Sequence, residues 1–167
     1  MKVNIHELKK KSEVEINGIQ PITLKGVNPL HPSLDCDAHV EGVVTKVGNR
    51  YVVKGIANTV VKLLCDRCLE EFDCPIQAEI YQRYSTDPNE DDEDIFPISG
   101  FEIDLEDVIT EAVVINVPMK WLHHEDCKGI CKVCGINLNK QSCQCDADEI
   151  DPRLEGLKNI FHPQSEE

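Results

Sequence analysis

The sequence predicts an α+β fold: an antiparallel β-sheet or partly open barrel with a few helices, followed by a small C-terminal module of cysteine knuckles. Three observations carry this expectation. Apolar and polar residues alternate through 51–64 and again through 72–81, the period of a half-buried strand. Residues 104–116 switch to a helical period. Seven of the nine cysteines stand in close spacings, five of them between 127 and 145. The expected division is a mainly antiparallel β domain with one helix over residues 1–120. A cysteine-rich module with a C-terminal helix packed on it follows over 121–167.

The elements follow in chain order. Residues 1–35 carry Pro21, Pro29 and Pro32, so short strands and turns are expected there. Ala38 to Val47 reads as a strand, and Gly48-Asn49 as a two-residue hairpin turn. From Tyr51 to Leu64, one face carries Tyr51, Val53, Ala57, Thr59, Val61 and Leu63. The other mixes Val52, Lys54, Ile56, Asn58, Val60 and Lys62. After Cys65-Asp66-Arg67-Cys68, the series Phe72, Cys74, Ile76, Ala78 and Ile80 alternates with Asp73, Gln77, Glu79 and Tyr81. The first CxxC therefore caps a β-hairpin. Residues 87–94 hold six acids and no base, a solvated loop or a contact for a basic partner. Asp104 is placed to cap a helix running to about Asn116. Leu105, Val108, Ile109, Ala112 and Val113 line one side of it, and Pro118 ends it. Asp151-Pro152 opens a short tail helix, with Leu154, Leu157, Ile160 and Phe161 on one side.

The cysteines carry the chemistry. Cys65-x2-Cys68 is followed by His123-x3-Cys127, Cys131-x2-Cys134 and Cys143-x-Cys145. A two-residue turn sets two sulfurs about one tetrahedral edge apart, the arrangement zinc takes in closed structural sites. Gly135 stands where a knuckle needs positive φ after its second sulfur. Three groupings fit the spacings. In the favoured one, Cys65, Cys68, His123 and Cys127 form one site, and Cys131, Cys134, Cys143 and Cys145 a second. The alternatives gather Cys127, Cys131, Cys134 and one of Cys143 or Cys145, or place both CxxC knuckles on one ion. His124 competes with His123. Cys36 and Cys74 lie outside the clusters, and Cys74 reads as a buried structural thiol.

Charge and length bound the function. The net charge of -14, from 31 acidic and 17 basic residues in a chain of 167, repels phosphate backbones over most of the surface. A basic protein partner suits this chain better than naked nucleic acid. Nine cysteines without a recognisable secretory signal point to a reduced, cytoplasmic compartment. No apolar run approaches the roughly 20 residues of a membrane span. The first CxxC lacks the helix N-terminus that activates a redox thiol, no substrate cleft is indicated, and neither an enzyme nor a small-molecule substrate is expected.

The strings Cys65-Asp66-Arg67-Cys68-Leu69-Glu70-Glu71-Phe72, Asp104-Leu105 through Glu111 to Pro118, Asp126 to Asn139, Cys143-Gln144-Cys145 and Asp151-Pro152-Arg153-Leu154 resemble the YceD family of large ribosomal RNA subunit accumulation proteins. The resemblance covers about residues 60–161. It implies a non-enzymatic cytoplasmic factor for ribosomal RNA accumulation, processing or subunit assembly, partnered by a ribosomal protein or an rRNA-processing factor. In the family, Cys often stands where this chain has His123, which favours His123 as a ligand. Two other readings compete: direct RNA binding by the zinc module through Lys120, Lys128, Lys132 and Lys140, and a redox-regulated thiol or zinc switch.

Overall fold

The computed structural model describes residues 1–87, 92–98 and 100–145. The tail helix expected after Asp151 and some of the acidic run at 87–94 lie outside these residues. The elements are β1 (Lys2–Asn4), α1 (Ile5–Lys10), β2 (Glu13–Asn28), β3 (His31–Val47), β4 (Arg50–Leu64), β5 (Glu71–Ser85), β6 (Ile95–Pro97), β7 (Glu102–Asp104) and α2 (Glu106–Asn116). The chain divides into two compact units. One comprises Met1–Asp66 and Glu70–Glu125, the other Arg67–Leu69 and the chain from Asp126 onward.

In the first unit, β2 to β6 form a five-stranded sheet in the order β2-β3-β4-β5-β6, while β1 and β7 pair separately. The alternation read from the sequence is the alternation of burial. Tyr51, Val53, Ala57, Thr59, Val61 and Leu63 of β4 are buried, and so are Ile76, Ala78 and Ile80 of β5. The sheet is curled. Strands two apart in a flat sheet lie about 9.6 Å from one another, yet β2 and β4 approach within 8 Å although β3 separates them. Gly42 faces Gly55 across β3 and β4. A Cβ on Gly42 would collide with the Lys54 carbonyl oxygen and lie 2.7 Å from Gly55 Cα. A Cβ on Gly55 would lie 2.6 Å from the Glu41 carbonyl oxygen. Only glycines permit two backbones to approach this closely. α2 touches β2, β4 and β5, and its Ile109 and Val113 are completely buried, as is Leu105 at its N-cap. A Leu, Ile or Val buried this way stabilises the fold by about 1.5–3 kcal/mol.

Four features depart from the expectations. Residues 1–35 hold the six-residue α1 and the sixteen-residue β2, and β3 begins at His31. Pro21 fits inside β2 because β2 is an edge strand of the sheet, where a missing N–H breaks no ladder. Pro29 lies in the tight turn between β2 and β3, held by buried Asn28, whose side chain accepts from the Leu30 amide (2.9 Å) and donates to the Lys62 carbonyl (3.0 Å). The sheet is not wholly antiparallel, since β6 joins β5 in parallel. α2 starts at Glu106, with Asp104 Oδ1 accepting from the Glu106 amide at 3.1 Å, so the capping carboxylate lies one residue further out than expected. Asp92 and Asp94, from the acidic run, pair with Arg83 at 3.2 and 3.3 Å.

Gly55→Ala is expected to destabilise the protein by about 1–3 kcal/mol, since an added methyl must push the two packed strands away from each other. Urea unfolding measures this, and an unchanged midpoint would contradict the close approach.

Candidate metal centres

Both CxxC knuckles share one local geometry. In the first, the Cys65 amide donates to the Glu70 carbonyl (2.8 Å). In the second, the Cys131 amide donates to the Ile136 carbonyl (2.8 Å). The donor and acceptor are five residues apart in each case. The residue after the second cysteine has positive φ in both, 58° at Leu69 and 74° at Gly135. Gly135 adopts this backbone without strain. Leu69 bears the steric cost of a Cβ there, with its side chain 57% exposed. The turn aims both cysteines of a knuckle to the same side.

The structure brings the eight residues into two groups. Cys65, Cys68, His123 and Cys127 form one, and Cys131, Cys134, Cys143 and Cys145 the other; within each, the ligand atoms lie within 4.8 Å of one another. A tetrahedron with bonds of about 2.3 Å has edges of about 3.8 Å, so both groups can hold a metal ion. This is the first of the three groupings the spacings allowed. His123 belongs to the first group, and His124 stacks edge-on against it, ring centroids 3.8 Å apart. Cys36 and Cys74 stay outside, half-buried, and burial pushes both thiols up from their ordinary pKa.

Several side chains that the sequence reading missed hold these residues in place. Asp66 and Trp121 clamp each other: the Asp66 amide donates to the Trp121 carbonyl, and the Trp121 amide to Asp66 Oδ2, both at 2.8 Å. That fixes the chain two residues before His123. In the second unit, Arg67 donates from Nη1 to the Cys127 carbonyl at 2.8 Å. The Ile130 amide donates to the Arg67 carbonyl at 3.0 Å. Asn139 donates from Nδ2 to Cys127 Sγ (3.4 Å) and accepts from the Lys128 amide (2.8 Å). Asn137 Oδ1 in turn accepts from the Asn139 amide and side chain, both at 2.9 Å. Polar loop residues carry no periodic signal that could announce such roles.

The donor chemistry fits a soft-leaning cation. The backbone amides of Cys134 and Val133 hold the Cys131 thiol down at a pKa of about 6, with help from the Cys143 thiol. The hydrogen bond to Cys134 pushes the Cys145 thiol up to about 12, together with burial and the neighbouring sulfur charge. Four sulfurs this close cannot all ionise alone, whereas a dication among them favours every thiolate. Three sulfurs with an imidazole, and four sulfurs, are closed sets that leave no open position for a substrate.

The family model described as "Large ribosomal RNA subunit accumulation protein YceD" matches residues 53–161. The chain belongs to the YceD family. The YceD match begins within β4 and takes in both groups of ligand atoms. Among relatives, the "Large ribosomal RNA subunit accumulation protein YCED homolog 1, chloroplastic" of Zea mays is 26% identical over 71% of this chain and 51% of its own length. Its Arabidopsis thaliana namesake is 35% identical over 39% of this chain and 20% of its own length. An uncharacterised protein of Mycobacterium tuberculosis is 28% identical over 80% of this chain and 64% of its own length. The chain thus spans less than two thirds of these relatives. No solved structure matches it. Among the described residues, no helix is long and apolar enough to cross a membrane.

Asp66→Ala is expected to free the segment before His123 at a cost of about 1 kcal/mol, the net worth of a typical hydrogen bond. Hydrogen exchange at the Trp121 amide should accelerate while the amides of Val53 and Ala57 stay slow. Uniform acceleration would show that the clamp is not local.

Proposed function

We propose that this chain is a non-enzymatic cytoplasmic factor that supports accumulation of large-subunit ribosomal RNA, during processing or subunit assembly. In this reading Cys65, Cys68, His123 and Cys127 hold one structural zinc, and Cys131, Cys134, Cys143 and Cys145 a second. The observation that carries the biological side of the reading is the YceD match over residues 53–161, supported by the name of the maize relative. The closed ligand sets support zinc in a structural role: it would supply a fixed tetrahedral cross-link and no redox chemistry. Reduced thiols of this density belong in a compartment that keeps them reduced.

A net charge of -14 supports work through a basic protein partner, such as a ribosomal protein, over direct grip on RNA. A second reading, direct RNA contact, draws on the cysteine-rich stretch itself. From 126 to 145 there are three lysines, Lys128, Lys132 and Lys140, and one acid, Asp126, and all three lysines are exposed. Thiolates on a bound metal offset those cations, so the protein-docking reading stands first.

Protein purified without chelator is expected to carry two zinc ions per chain by elemental analysis. Cys65→Ser with Cys68→Ser should remove one, and Cys131→Ser with Cys134→Ser the other. Content far below one ion in the unaltered chain would end the zinc reading. In cells, depletion of the protein is expected to lower large-subunit ribosomal RNA relative to small-subunit RNA, with recovery by the unaltered chain. An unchanged ratio would refute the assignment to this process.

A further inference from the structure

We propose that the outer face of the sheet is a docking trough for an extended polypeptide segment rich in arginine and lysine. This rests on the reading that the chain works through a basic protein partner, and it adds where that partner sits.

The outer face is formed by odd-numbered residues of β2, β3 and β5 and even-numbered residues of β4, the positions complementary to the buried set. Two depressions on it meet at Asn58 and Gln77, whose side chains bond each other at 3.1 Å. Apolar side chains stand open in the trough: Ile56 is 41% exposed and Val60 55%. Ladder register sets carboxylates around them. Glu41 and Glu79 flank Ile56 on the two neighbouring strands. Glu15 stands opposite Val43. Glu13, Asp35, Asp37 and Asp73 complete the lining acids.

Against these seven carboxylates the lining holds two ammonium groups, Lys54 and Lys62. Lys62 already lies 3.5 Å from Asp73, and Lys54 sits over the Tyr81 ring, 5.5 Å from its centroid. Among the described residues, Glu15, Asp37 and Glu79 meet no cation. Glu41 meets only His39, at 3.9 Å. Carboxylates arrayed across neighbouring strands repel one another, and an incoming cation relieves that repulsion.

The apolar floor and the acidic walls together select the occupant. Phosphate backbones are repelled, and so is a second copy of a chain of net charge -14. A free metal ion or polyamine would leave Ile56 and Val60 in water. A peptide alternating basic and apolar residues satisfies both surfaces. Crossing four strands takes about 14 Å, the reach of about five extended residues.

The test uses the metal-replete full chain and a fluorescein-labelled seven-residue peptide alternating arginine and valine, followed by anisotropy at low and moderate salt. Binding is expected, weakening as salt rises. Glu41→Lys with Glu79→Lys should weaken it roughly tenfold or more. Glu102→Lys with Glu111→Lys, exposed positions off this face that change the net charge equally, should leave it within about twofold. Zinc content and circular dichroism report that all variants remain folded. No binding, or equal weakening by both pairs, overturns the trough. Displacement of the peptide by an RNA fragment would assign the face to RNA, and a concentration-dependent dimer abolished by Glu41→Lys with Glu79→Lys would assign it to a second copy. Either outcome overturns the proposal. The underlying reading fails separately: if depletion leaves ribosomal RNA unchanged while Glu41→Lys with Glu79→Lys still loses the peptide, the trough stands without it. If depletion lowers large-subunit RNA and that variant restores it fully, the ribosomal role stands and the trough does not.

Discussion

The C-terminal unit buries sulfur where a domain ordinarily buries hydrocarbon. Among its described residues, the buried ones are Cys68, Cys127, Gly129 and Cys131. Ordering each residue costs roughly 1–2 kcal/mol of backbone entropy, and no Leu, Ile, Val or Phe among them is buried to offset it. Segments this short and this poor in apolar contacts fold when a cross-link replaces the missing core. Ligand atoms within 4.8 Å of one another supply the place for that cross-link. A metal held there would make its affinity and the folding of this stretch one free energy, as happens wherever the unfolded chain lacks a preformed site.

The β unit obeys the opposite economy, and that difference explains what the sequence disclosed. β4 and β5 were legible because alternation runs unbroken from Tyr51 to Ile80, apart from the knuckle. α2 was legible because its stripe of Leu105, Ile109 and Val113 is a simple helical face. The sulfur grouping was legible because thiolates at such spacings have few uses other than metal, and because each group needs four donors. β2 was obscure for equally physical reasons. Its inward positions include Gln20 and Gly18, and Ile19 faces water, 64% exposed. Gln20 can be buried only because the N-terminal amino group of Met1 donates to its side-chain oxygen and its own amide donates to the Pro21 carbonyl. No local pattern announces a partner nineteen residues away. Asn137 and Asn139 were invisible likewise, since their bonds exist only once the knuckle has folded.

The two knuckles show how different residues can fill one backbone requirement. Gly135 fits the positive φ because it lacks a Cβ. Leu69 occupies the same backbone position in the first knuckle, at φ 58°, against its steric preference. Such strain persists only where surrounding bonds over-determine the conformation. Here the Cys65–Glu70 hydrogen bond and the start of β5 at Glu71 do so. The antiparallel ladder of β4 and β5 runs without a gap from Arg50–Ser85 to Leu64–Glu71, so it sets the register at which Cys65 and Glu70 emerge.

Charge is divided as sharply as packing. Seven of the chain's acids line the outer sheet face against two lysines, while the stretch from 126 to 145 carries three lysines and one acid. Those lysines give no net cationic surface once sulfur ionises. Five cysteines lie in that same stretch, and a site of four thiolates around a dication carries about -2 in total. Metal loading would therefore cancel most of the positive charge in that stretch. The sheet's carboxylates have no such neutralising chemistry of their own, so on the proposed reading electrostatic recognition would fall to them and structural closure to the sulfurs. Salt would then act on the two roles differently: it screens an exposed carboxylate face within a Debye length of about 8–10 Å, and would leave a metal–thiolate bond nearly untouched.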